Sequence, residues 1–166
     1  LDPSAARVSA MLGMHLLRTG DEPEARTVLE RAFTLDPYDV ITFNSLALLD
    51  TLDTFVTVAD DTFVFRFHAD EAAVMREYAV PLAKEAVAVL SRIWNFTPEG
   101  PLLIEMFPKH DDFAVRTIGL PGFIGALGAC FGRVVTLDSP RARPPGEFNW
   151  EATLWHELAH VFTVQL

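Results

Sequence analysis

Residues 156–160 read His-Glu-Leu-Ala-His. On an α-helix, side chains four positions apart share one face and sit one turn apart. His156 and His160 can therefore aim two imidazoles at a single metal ion. Glu157 follows the first of them and brings a carboxylate beside whatever that metal holds. This H-E-x-x-H spacing suits zinc, which acidifies a bound water to a pKa of about 7. Glu157 is then the general base that takes the proton from that water. A catalytic zinc uses three protein ligands and a water. No residue from Val161 to Leu166 can be the third, so it is expected beyond Leu166.

The pair needs a helix to hold it. Asn149 is a candidate N-cap after the proline-rich loop Ser139–Gly146, and Glu151 suits the first turn. Apart from Glu157, nothing charged at neutral pH and no helix breaker interrupts Thr153 to Phe162. Upstream, the β-branched run Val134 to Leu137 predicts a strand, placed at the edge of a mixed sheet next to the metal helix. Gly119 to Gly132 holds five glycines but no G-x-x-x-x-G-K-[ST]. It reads as a flexible connection, with a loop bordering a cleft as the functional alternative.

Further back, Phe55–Ala59 and Thr62–Phe67 are apolar, strand-forming segments joined by Asp60-Asp61, a hairpin signal. Asp70 is the candidate N-cap of a long helix whose apolar face is traced by Val74, Tyr78, Leu82, Ala86, Val89 and Ile93. Pro81 is expected to kink or split it. Leu102 to Phe107 predicts a buried strand, and Asp111 the cap of a short helix through Arg116.

The first fifty residues carry a repeat. Leu1-Asp2-Pro3 returns as Leu35-Asp36-Pro37, a spacing of thirty-four, with Leu12, Gly13, Leu16, Gly20, Ala25 and Ala32 between. This resembles a tetratricopeptide repeat. It predicts antiparallel helices over about 4–18 and 22–35, turning at Gly20-Asp21, with Gly13, Ala25 and Ala32 at the close contact. Residues 39–50 start a third repeat or cap the second, and Leu1-Asp2-Pro3 reads as the tail of a preceding repeat. One repeat cannot bury its own apolar face, so it is expected to lean on residues 38–50 and on the next domain.

From about Thr54 to Leu166 the chain resembles the amino-terminal half of a gluzincin-type, peptidase MA-like zinc metallopeptidase. The similarity is carried by Trp155-His156-Glu157-Leu158-Ala159-His160-Val161-Phe162. Phe63 to Phe67, Asp112 to Thr117, Gly119 to Gly122 and Cys130 to Val135 add support. The resemblance implies zinc ligands at His156 and His160, the general base at Glu157, and a third ligand, a glutamate, on a helix further along. It also implies that the strand before the metal helix, here Arg133 to Asp138, is the edge that holds substrate backbone. The fold expected is α+β: a tetratricopeptide helical hairpin over 1–50, then the amino-terminal mixed α/β subdomain of a zincin-like metallopeptidase over 51–166.

Composition excludes several roles. The chain has 166 residues, 50% of them hydrophobic, and can bury a core. A net charge of −10, from 23 acidic against 13 basic residues, argues against nucleic acid and against an anionic membrane. No apolar run reaches the roughly eighteen residues of a membrane span. Cys130 is the single cysteine, which rules out an intramolecular disulfide and a cysteine zinc cluster, and reads as a small buried hydrophobe.

His15, His68 and His110 read as surface or packing residues, and Trp150 and Trp155 as core. The chain begins with Leu1 and stops within the candidate metal helix, as a piece of a longer protein would. Two readings fit this pattern. One is zinc-dependent hydrolysis of a peptide or protein substrate, with residues 1–166 inactive alone for want of a third ligand. The other is a non-catalytic scaffold that binds a protein partner through the repeat. Truncation is expected to expose Leu158, Val161 and Phe162 and so favour self-association.

Overall fold

The computed structural model describes residues 3–166. The expected tail of a preceding repeat, at Leu1 and Asp2, lies outside them. Three helices come first: α1 (Pro3–Thr19), α2 (Glu22–Leu35) and α3 (Val40–Leu52). Gly20 makes the first turn with φ of 85°, where a side chain would be strained. Asp21 caps α2 by accepting from the Glu24 amide at 3.4 Å, and Asp39 caps α3 by accepting from the Thr42 amide at 2.9 Å. Gly13 faces Leu29, whose Cγ would lie 2.5 Å from an added Cβ, so α1 and α2 touch almost backbone to side chain. The helical hairpin and its turn lie where the sequence puts them.

The rest of the fold is a five-stranded mixed sheet with helices on both faces. Its strands are β1 (Val56–Ala59), β2 (Phe63–Phe67), β3 (Leu102–Phe107), β4 (Gly128–Phe131) and β5 (Val134–Asp138), in the order β1-β2-β3-β5-β4. The β2, β3 and β5 strands run parallel; β1 and β4 lie antiparallel at the two edges. The connecting helices are α4 (Ala72–Trp94), α5 (His110–Ile118) and α6 (Trp150–Gln165). Six helices and five strands, among the described residues, make an α+β chain. None of those helices is long and apolar enough to cross a membrane.

Strand alternation sorts the sheet into two unlike faces. Phe63, Phe65, Phe67, Leu102, Ile104, Met106, Val135 and Leu137 point to one face and form a core with α4 and α6. The other face meets α5 and the first three helices, and it carries charge. Glu105 is fully buried there and accepts from Arg116 Nε at 2.7 Å, while Arg116 Nη2 donates to the Leu17 carbonyl at 2.8 Å. Arg66 reaches both Glu22 on α2 and Glu105, the latter at 3.5 Å. Burial raises the Glu105 carboxyl above its ordinary range, against the pull of Arg116 and Arg66. Around this network Met14, Leu17, Leu29, Leu48, Leu49 and Leu52 pack with Phe55, Phe107 and Phe113. The first three helices and the sheet therefore share one core, and α3 runs two residues past the expected boundary at 50.

Several expectations need correction. Val134 to Leu137 is a strand, but an interior one, paired with β3 on one side and β4 on the other. The edge is Gly128–Phe131, inside the segment read as a flexible connection. Helix α4 buries Met75, Ala79, Ala83, Ala86 and Leu90, and leaves Val74, Tyr78 and Ile93 exposed. Its alanines let the helix sit close on the phenylalanine-rich sheet face. Pro81 does not split it, and Glu71 rather than Asp70 stands at its N-cap, with no side-chain bond. Asp111 caps nothing; its carboxylate accepts from the Gly122 amide at 3.0 Å, and Lys109 holds the N-cap position of α5. Leu158, Val161 and Phe162 are fully buried against the sheet and α4, so they form no exposed patch for self-association.

Candidate metal centre

Helix α6 starts as the sequence requires: Asn149 Oδ1 accepts from the Ala152 amide at 2.9 Å. One side of the helix is anchored by Leu154, Leu158, Val161 and Phe162, all fully buried. Phe162 meets Trp94 edge-on at 5.3 Å, and Trp150 and Trp155 pack at the rim of the same core. The opposite side carries His156 and His160, both exposed.

The two rings converge. His156 Nε2 and His160 Nε2 are 3.0 Å apart, with the rings nearly perpendicular. Two zinc–nitrogen bonds of about 2.0–2.1 Å at a tetrahedral angle put their nitrogens about 3.3–3.4 Å apart. A small adjustment of side-chain torsions closes that gap, so the pair fits a shared metal. Among the described residues neither nitrogen has another protein partner to be pulled from.

Glu157 is held differently. It is 6% exposed and lies between α6 and the edge strand β4. Burial lifts its carboxyl above the usual range, and the neighbouring His160 and His156 pull the other way. A cleft of about 460 Å³ opens beside it, lined by Gly125 to Gly128, Glu147 to Asn149, Ala152, Thr153, His156 and Glu157. One flank of the cleft is thus the approach to the outer edge strand, and the other is the first turns of the histidine helix.

The remaining candidates fall elsewhere. His15 lines a separate groove against α1. His68 Nδ1 accepts from the Asp70 amide at 3.3 Å. His110 bridges Asp138, at 2.9 Å, and the Phe123 carbonyl, at 3.0 Å, while Arg143 Nε donates to the same carboxylate at 3.1 Å. Asp138 is thus already engaged by His110 and Arg143. Glu147 lines the cleft and Glu151 is exposed, but among the described residues no group of three histidine, cysteine, aspartate or glutamate side chains could hold a metal ion. Cys130 packs at the edge of the core, its thiol pushed up to about 11 by burial.

Sequence reasoning missed β4, the strand against Glu157. Its signal was present: Gly132-Arg133 between Phe131 and Val134 is a two-residue hairpin loop, with Gly132 at φ of 75°. Comparison with known proteins finds no matching family model, no matching curated protein and no matching solved structure.

Proposed function

We propose that the chain carries the metal-binding half of a zinc-dependent peptidase site of the gluzincin type, behind a tetratricopeptide-like helical unit. The observation that carries this is the convergence of His156 and His160 at 3.0 Å with Glu157 between them in sequence. His156 and His160 would hold the ion. A zinc held there would supply an acidified water and a Lewis acid for a scissile carbonyl. Glu157 accepts the proton from that water and later returns one to the leaving amine. The outer edge of β4 has free backbone groups beside the cleft, and an extended substrate can add to it as a further strand.

A third ligand must join the two imidazoles, and we assign it outside the described residues, since none of them completes the set. Residues 1–166 alone should therefore hold zinc weakly and cleave nothing. The test uses the protein with its ligand set complete. Glu157→Gln should abolish peptide hydrolysis while zinc still binds, because an amide of the same size accepts no proton. Retained turnover in the zinc-loaded variant would rule out the general base. Tight stoichiometric zinc binding by residues 1–166 as a monomer would show the ligand assignment to be incomplete.

A second reading has its own support. The groove against α1, about 580 Å³ and lined by apolar residues such as Met11, Met14 and Ile41 and by charged ones such as Arg7, Arg18 and Asp39, can take a peptide segment. In this reading the helical unit binds a protein partner and the sheet domain is its scaffold. Full peptide affinity after loss of both histidines, with no hydrolysis in the parent protein, would favour it.

A further inference from the structure

We infer that Gly128 is the positioning residue for Glu157: the side chain it lacks is the slot in which the carboxylate lies. A Cβ built on Gly128 would stand 2.6 Å from Glu157 Cγ, 2.7 Å from Oε1 and 2.9 Å from Cδ. Real Cβ atoms do not approach heavy atoms so closely, so something must move. The neighbours decide what. Strand β4 cannot retreat, because Gly128 pairs with Leu137 and the Asp138 amide donates to the Leu127 carbonyl at 3.0 Å. Helix α6 cannot retreat either, because four fully buried side chains fasten it to the core. The three nearest atoms all lie beyond Cβ of Glu157, in the part of the side chain free to rotate.

An alanine at 128 should therefore turn the carboxylate out of its slot and leave the rest in place. No atom of His156 or His160 is among the three nearest to the built Cβ. The sheet explains the selectivity. Gly128 and Cys130 share the face that meets α6, whereas Ala129 and Phe131 point to the opposite face, where Ala129 packs with the other core and Phe131 lies under Arg18. Gly128 is the position whose added Cβ would meet the Glu157 side chain.

The catalytic consequence rests on the hydrolase reading; the placement of the carboxylate does not. With the ligand set complete, Gly128→Ala should lower kcat about 10²-fold, within the range that a positioned general base contributes. KM and zinc content should be unchanged. In a Glu157→Gln background the same substitution should add no further loss, since it acts through that side chain. The independent readout needs no activity. In residues 1–166 labelled with ¹³C at glutamate carboxyls, the Glu157 resonance is identified by its absence in Glu157→Gln. It should move in Gly128→Ala while the other glutamates stay. An unmoved resonance overturns the proposal. If Gly128→Ala fails to fold, Gly128→Ala/Glu157→Ala must fold, because removing Cγ, Cδ and Oε1 removes all three close contacts; a double variant that also fails overturns it equally. A resonance that moves in a protein without hydrolysis would sink the hydrolase reading and leave the positioning role standing.

Discussion

Replacing Arg116 by Met should be among the most costly single changes in the chain. Its guanidinium is fully buried and does two things: Nε donates to Glu105 at 2.7 Å, and Nη2 to the Leu17 carbonyl at 2.8 Å. Met fills much of the volume but leaves Glu105 enclosed with only Arg66, 3.5 Å away, and leaves the Leu17 carbonyl without this donor. Breaking a buried pair by removing one partner costs about 3–5 kcal/mol. Unfolding entropy of about 2.1 cal/mol/K per residue, over 166 residues, gives about 0.35 kcal/mol per degree. The melting temperature should fall by about 9–14 °C, read by circular dichroism. The loss should grow with pH. Burial already raises the Glu105 carboxyl, and without Arg116 it rises further. A group with a raised folded pKa supports folding below its unfolded pKa, about 4.3 for Glu. It loses that contribution as pH climbs through the folded value. Arg116→Met/Glu105→Leu removes both charges and should recover at least half of the drop. A fall below about 3 °C at neutral pH, which is about 1 kcal/mol, would refute the reasoning.

Other consequences are open to measurement. His156→Ala or His160→Ala should abolish zinc uptake by the protein with its ligand set complete, with the melting temperature of the metal-free form unchanged, since both side chains are exposed; equilibrium dialysis checks it. Glu71→Gln should stabilise the fold at neutral pH. Its buried carboxylate, raised by desolvation, accepts from Ser139 Oγ at 2.9 Å, while Oε1 has no partner. That raised group supports folding below about pH 4.3 and ceases to as pH rises, so the gain should vanish in acid, as urea melts at two pH values would report. Gly13→Ala should destabilise despite the roughly 1 kcal/mol helix preference for Ala. Its Cβ would meet Leu29 Cγ and Cδ2 at 2.5 and 2.7 Å, and overpacking costs about 1–3 kcal/mol.

Local signals carried much of the fold. The glycine turn at Gly20, the hairpin around Asp60-Asp61 and the Asn149 cap each act within a few residues, and each appears where its chemistry places it. Helix α4 defeats that approach because it has two adjacent apolar stripes. Val74, Tyr78 and Ile93 are larger, but the alanine stripe fits the crowded phenylalanine face of the sheet, and fit decides which stripe is buried. Strand β4 was missed because Gly-Ala-Cys-Phe lacks the β-branched alternation that marks strands, although the two-residue turn that pairs it with β5 is local. The histidine pair was legible because both side chains share one helix. Gly128 was not, because its importance depends on a helix twenty-nine positions further on. His110 was opaque for the same reason, its partner Asp138 standing at the end of the neighbouring strand β5, twenty-eight positions on.

The shared core between the first three helices and the sheet sets a geometric rule for any molecule that touches both. Arg18, at the end of α1, lies 5.4 Å over the Phe131 ring at the end of β4, so the helical unit is braced against the strand that borders the cleft. No slack linker joins the groove to the histidine pair. A tethered pair of binding groups gains from a second contact only when its span matches the sites. Here the span is a constant of the scaffold, like the distance between two posts in one casting. If a peptide engages both places, graded lengths should show a sharp optimum, where a hinged protein would accept a broad range.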